Sequence, residues 1–136
     1  MTGSIEEGTA EQRGDRRVRH CLLRLDRPVE EVWPALATAA GLGRWLAPAG
    51  PFEPRLGGAV AFRLPEGTAR GRVTAWDVER VAEYTVEGRG RIRFHLEPGR
   101  PGGTLVRFTH ESGQGGDPGW RERFERLLAA VEAGAR

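Results

Sequence analysis

Three histidines, one cysteine and one tyrosine are the side chains of this 136-residue sequence best suited to acid–base, metal or nucleophilic chemistry. A structural or catalytic zinc ion needs three or four ligands converging on one point. His95 lies in "RIRFHL" and His110 in "TLVRFTHE". Pairing these two alternating runs as a hairpin puts the two rings on opposite faces. His20 neighbours only Cys21, so no metal site is expected. Cys21 sits in an apolar alternation and reads as a buried small hydrophobe rather than a reactive thiol. A lone cysteine also excludes an internal disulfide. The only serines are Ser4 and Ser112, and neither stands in a G-x-S-x-G elbow. "GRGRIRF" has Gly88 and Gly90 but Arg93 in place of a third glycine, and it opens a strand, so it is no dinucleotide fingerprint. The acids fall mostly in turns and on outward faces, and no carboxylate pair for glycoside chemistry can be picked out. His110 remains. It points inward beside Phe108, where a neutral imidazole can orient a ligand's carbonyl or hydroxyl. The competing reading is a histidine satisfied by loop backbone at a strand end. Tyr84 is the only other candidate acid or base.

The bulk properties narrow the class. The length fits one domain. Residues 1–16 are polar and glycine-containing and are expected to be a disordered tail, leaving 17–136 as a single domain. The tail lacks the apolar core of a signal peptide, and no apolar run approaches a membrane span, so a soluble cytoplasmic protein without membrane insertion is expected. There is no lysine and no asparagine, a usage that goes with GC-rich bacterial coding, and the formal charge is +2. Acids and arginines are mixed along the chain, with no basic patch interleaved with aromatics, so nucleic acid is not an expected partner.

The elements that must position these residues follow from the apolar period. Val18 to Leu25 alternates as a strand. Val29, Val32, Trp33 and Leu36 share one helical face, with Asp26 as a cap and Pro28 in the first turn. Pro34 conflicts with that helix and predicts a kink or a later start. A second short helix is expected from Ala39 to Leu46. From Phe52 to Glu111 the period falls to two, with turn signals every ten residues or so, which predicts an antiparallel meander. "FEPRLGG" reads as its first short strand. The strand "VAEYTV" is ambiguous in orientation. Matching apolar faces pairs Phe94 with Phe108, Leu96 with Val106, His110 with Ile92, and Arg91 with Glu111 on the outer face. Arg72 and Arg107 are assigned outward. Asp117 and Pro118 start a last helix of roughly 16 residues, about 24 Å long. Trp120, Phe124, Leu127, Leu128 and Val131 form its apolar stripe, and Arg121 to Arg126, Phe124 apart, face outward. This helix must cover the inner face of the sheet. Trp33 and Trp120 are read as core, Trp76 as outward or at an edge, and Trp45 as core or pocket rim.

The order strand, two short helices, antiparallel strands, long helix resembles the helix-grip fold of the START-like superfamily. "RLDRPVEEVWPAL", "GLGRWLAP", "RLGGAVAFRL", "GRVTAWDVER", "FHLEPGRPGGTLVRFTHES" and "GWRERFERLLAAV" resemble successive blocks of the branch named for the activator of the heat-shock-protein-90 ATPase. The resemblance implies an α+β fold in which a curved antiparallel sheet of about six to seven strands grips the last helix. It also implies a cavity that takes lipids, sterols, polyketides or other apolar molecules, with cyclase or aromatase chemistry in a few members. The residues expected to line that cavity are Trp45, Val60, Phe62, Val73, Ile92, Phe94, Val106, Phe108, His110, Trp120, Phe124 and Leu128. The expected function is binding of a small, mostly apolar ligand, with no cofactor, by a monomer or a weak homodimer formed through an edge strand. The alternatives are a polyketide cyclase or aromatase relying on His110 and Tyr84, and an interaction protein partnering a chaperone-type ATPase. No catalytic set is identifiable, so an enzyme is not the favoured expectation.

Overall fold

The structure is a computed structural model that describes residues 3–113 and 119–134. The chain runs β1 (Ser4–Arg13), β2 (Arg16–Leu25), α1 (Val29–Ala37), α2 (Ala39–Trp45), β3 (Ala49–Phe52), β4 (Ala59–Leu64), β5 (Gly67–Asp77), β6 (Val81–Val86), β7 (Gly90–Pro98), β8 (Thr104–Ser112) and α3 (Trp120–Gly134). All strands join one antiparallel sheet of eight strands in the order β1-β2-β8-β7-β6-β5-β4-β3. The expected starting residues of the last helix, Asp117 and Pro118, lie outside the described residues.

The β7–β8 hairpin has the register that apolar matching predicts: Phe94 faces Phe108, Leu96 faces Val106, His110 faces Ile92 and Arg91 faces Glu111. The outer pair closes as an ion pair at 2.8 Å. The orientation of β6 is settled by burial of Ala82, Tyr84 and Val86. α3 then lays Phe124, Leu127 and Val131 on the inner face.

Four expectations are corrected. Residues 4–13 form edge strand β1 instead of a disordered tail. Apart from half-buried Ile5 its residues are exposed, so its sequence carries no apolar period. Backbone pairing to β2 holds it, assisted by Arg24–Glu6 at 2.6 Å, His20–Glu11 at 3.0 Å and Arg121–Glu7 at 2.5 Å. The first short strand of the meander is Ala49–Phe52 rather than "FEPRLGG". It is an edge, where Pro51 forfeits no ladder bond. Trp76 turns inward, 5.2 Å from Trp33 and 6.3 Å from Phe52. A register shift between Val73 and Ala75 inserts one residue and exchanges the faces beyond it, so Trp76 pairs with inward-facing Ala82. Finally, α1 starts at Val29, with Pro28 as its N-cap and no side-chain cap bond, and runs through Pro34 to Ala37.

The helix stops at Thr38, whose backbone is extended. Helix C-termini leave their last carbonyls without helical N–H partners. Here side chains supply them. The Trp45 indole N–H donates to the Ala35 carbonyl at 2.8 Å, and the Tyr84 hydroxyl donates to the Leu36 carbonyl at 2.6 Å. The Thr38 hydroxyl donates to the Pro34 carbonyl at 2.7 Å while accepting from the Gly41 N–H at 2.9 Å, which caps α2. The two helices meet so closely that a Cβ on Gly41 would stand 1.9 Å from the Pro34 carbonyl oxygen.

Candidate functional site

The middle of the interior is filled by aromatic rings. Trp45, 2 % exposed, lies 5.8 Å from Phe94 and 6.1 Å from Phe124. Phe108 lies 5.3 Å from Phe94, 4.9 Å from Phe124 and 4.7 Å from Trp120. Tilted and edge-to-face pairs at these separations are favourable beyond their burial. The α1–α2 pair therefore occupies the hollow that the last helix alone would leave open.

Space remains at one end. A half-open pocket of about 140 Å³ is lined by Leu46 and Ala47 after α2, Phe62 and Leu64 of β4, Ala69 of β5, Val86 of β6, and Gly90 and Ile92 of β7, together with Arg89, His110, Trp120 and Arg123. Arg89 belongs to the β6–β7 turn, His110 to β8, and the last two to the first turn of α3. Of the residues expected to bind a ligand, Phe62, Ile92, His110 and Trp120 are brought together here. Trp45, Val60, Val73, Phe94, Val106, Phe108 and Phe124 are buried in the core instead. Leu128 is half-buried, next to the start of β1 at Gly3.

His110 joins two walls of this cavity. Its Nδ1 accepts the Trp120 indole N–H at 3.1 Å, and its Nε2 stands 3.3 Å from the Arg89 carbonyl. An indole nitrogen only donates, so Nδ1 must be unprotonated and the proton sits on Nε2, donating to Arg89. A second proton would break the bond to Trp120. Burial pushes the His110 pKa below its ordinary value, in agreement with that geometry. Gly90 completes the turn: its φ is +89°, and a Cβ there would meet the Glu111 carbonyl oxygen at 2.0 Å. The turn can approach β8 this closely only with glycine.

Arg89 and Arg123 escaped the sequence reading. Arg123 was expected to face outward, but it is half-buried, with its guanidinium 5.5 Å from the Trp120 ring centre. The signal was available, because residues three apart on a helix share a face. Arg89 gave none, since a turn has no period. It pairs with Glu66 of the β4–β5 hairpin across the cavity's edge. Burial first, then the neighbouring guanidiniums of Arg126 and Arg89, lowers the Arg123 pKa. The Glu66 carboxyl is held below its ordinary value by a backbone hydrogen bond first and by Arg89 second.

The two candidate acid–base groups are both engaged structurally. His110 is bonded through both nitrogens, and the Tyr84 hydroxyl is spent on the Leu36 carbonyl, with burial pushing its pKa upward. Among the described residues no group of three or more His, Cys, Asp or Glu could hold a metal ion, and no helix is long and apolar enough to cross a membrane.

An antiparallel sheet covered by one long C-terminal helix, with two short helices between the second strand and the third, defines the helix-grip class of α+β domains. Within it, the chain belongs to the family described as activator of Hsp90 ATPase homolog 1-like protein, whose family model matches residues 26–132. The structure resembles a conserved protein of unknown function, EF2215 from Enterococcus faecalis, with a TM-score of 0.78 and 20 % identity over 94 % of this chain and 78 % of that one. It resembles CalU16 from Micromonospora echinospora at 0.72 and 21 %, over 94 % of this chain and 86 % of the other. It also resembles the Aha1 dimer from Colwellia psychrerythraea at 0.70 and 21 %, over 88 % and 98 %. At identities of this size the structural likeness shows the shared fold alone. Among curated proteins, none matches the sequence.

Proposed function

We propose that this domain is a binding module for a compact, mostly apolar molecule held in the cavity between β4–β8 and the start of α3. The observation that carries the reading is the half-open pocket itself, about 140 Å³, walled mainly by apolar side chains with a few polar groups converging on it. An apolar cavity of about 150 Å³ admits benzene, whereas drug-sized ligands need about 300–1,000 Å³. The ligand class narrows accordingly: a single ring fits the space, whereas a lipid or sterol exceeds it. Binding without turnover is favoured over cyclase chemistry, because the groups that could act as acid or base already bond within the protein. The family's name raises a chaperone ATPase as partner. The exposed large apolar side chains among the described residues are Leu56 and Val78, a smaller footing than the cavity offers a ligand. We place the protein in the cytoplasm as a monomer or weak homodimer.

The test uses toluene as the probe, followed by amide and indole N–H shifts of the intact protein. Gly90 and the Trp120 indole should shift saturably. Ala69→Met, which fills the cavity from its β5 wall, should abolish that response while keeping the fold. Saturable shifts that survive Ala69→Met, or no shifts with toluene or any other single-ring probe, would overturn the reading.

A further inference from the structure

The cavity is apolar inside but cationic at its edge. Its aromatic and aliphatic walls are Phe62, Ile92 and Trp120. Arg89 and Arg123 line the same space, and no described lining residue is acidic. Both arginines are fixed by contacts of their own. Arg123 is laid over Trp120, and Arg89 is tied to Glu66 while its carbonyl is anchored to His110. A planar guanidinium presents a fork that matches a carboxylate, and such charge-assisted bonds are roughly twice as strong as neutral ones.

Resting on the binding-module reading above, we propose that the ligand is a compact cyclic or aromatic monocarboxylate, its ring against Phe62, Ile92 and Trp120 and its carboxylate on Arg89 and Arg123. The closeness of the two cations is independently visible in the lowered Arg123 pKa, to which burial contributes most and Arg126 and Arg89 follow. An arriving carboxylate relieves that repulsion. It also competes with Glu66 for Arg89, so Glu66 acts as an intramolecular stand-in that a ligand displaces. A single ring of benzene size accounts for the pocket's volume, and the acid group accounts for the charged edge.

Benzoate, benzamide and toluene form the test series, since they share a ring and differ in charge and polarity. Titrations of the full chain are followed by the Gly90 amide and the Trp120 indole N–H. Benzoate is expected to bind at least about tenfold more tightly than toluene or benzamide, and its affinity should fall with added salt. Arg89→Gln should weaken benzoate about tenfold and leave toluene unchanged, while Glu66→Gln should strengthen benzoate several-fold. Equal binding of benzoate and toluene, or benzoate binding indifferent to both variants, overturns the carboxylate assignment and leaves the cavity reading standing. No response to any of the three overturns both. Glu66→Gln guards against misfolding as an explanation, because a gain of affinity cannot come from a damaged protein.

Discussion

Deleting one oxygen atom tests the joint between sheet and helices. Tyr84→Phe keeps the ring, 5.9 Å from Phe52 and 6.3 Å from Phe62, but removes the hydroxyl that donates to the Leu36 carbonyl at 2.6 Å. Leu36 is fully buried and lies in the last turn of α1, so neither a helical N–H nor water replaces the lost donor. A buried acceptor left this way costs about 1–3 kcal/mol. At this chain length 1 kcal/mol moves Tm by about 3–5 °C, so a fall of about 3–15 °C is expected. Urea unfolding followed by tryptophan fluorescence should show a lower midpoint at an unchanged m value. Tyr84 is the only tyrosine, so alkaline difference absorbance reports on it alone. Burial raises its pKa above the ordinary 10. Above pH 10 the unfolded chain therefore releases a proton that the folded one keeps. The stability due to this group is complete below that pH and declines as pH rises towards the folded value, with phenolate appearing only as the chain unfolds. A Tm unchanged to within about 1 °C, or a tyrosine that titrates normally in a folded protein, would refute the joint.

Gly41→Ala should destabilise by about 1–3 kcal/mol or more, because α1 and α2 must separate to relieve a 1.9 Å approach to the Pro34 carbonyl. A melt within experimental error of wild type would count against the packing described. For His110, burial lowers the folded pKa below 6.5, so the unfolded chain binds a proton that the folded one excludes. Stability is complete above that pH and declines as pH drops towards the depressed folded value; His110→Gln should lose this slope, read as the difference in urea midpoints between the two proteins. Phe124→Ala, at the centre of the aromatic cluster, should cost about 3–5 kcal/mol in a denaturant titration.

The meander and its register were legible because one face of each strand is buried, and a period of two then fixes which residues meet. Phe94 opposite Phe108 and His110 opposite Ile92 needed no more than that. Where burial is absent the signal is absent, which is why β1 escaped: its residues are almost all exposed, and its partner strand and surface ion pairs hold it. Trp76 escaped for a different reason. One inserted residue between Val73 and Ala75 reverses the alternation, and nothing in "RVTAWD" distinguishes a bulged strand from a regular one. Inward parity points to Phe62, Ile92, His110 and Trp120 of the pocket lining, whereas Leu64, Ala69 and Val86 share that parity without standing out in the sequence. The guanidiniums escaped, because one sits in a turn and the other was judged by its charge rather than by its helical position three residues from Trp120.

The larger lesson of the site is how much of the hollow the two short helices consume. A sheet gripping one helix leaves room in its middle, and large inward-facing side chains on the strands suggest that a guest fills it. In this chain Trp45 fills it, wedged against Phe94 and Phe124 and locked by its bond to the Ala35 carbonyl. That bond exists only because α1 ends where it does, at an extended Thr38, with its last carbonyls open to side-chain donors. The break between α1 and α2 therefore does more than turn the chain. It delivers a tryptophan to the centre of the interior, and the apolar pocket lies away from it, beside the start of α3. The stretch of sequence that ends one helix thus decides which side chain fills the middle of the interior.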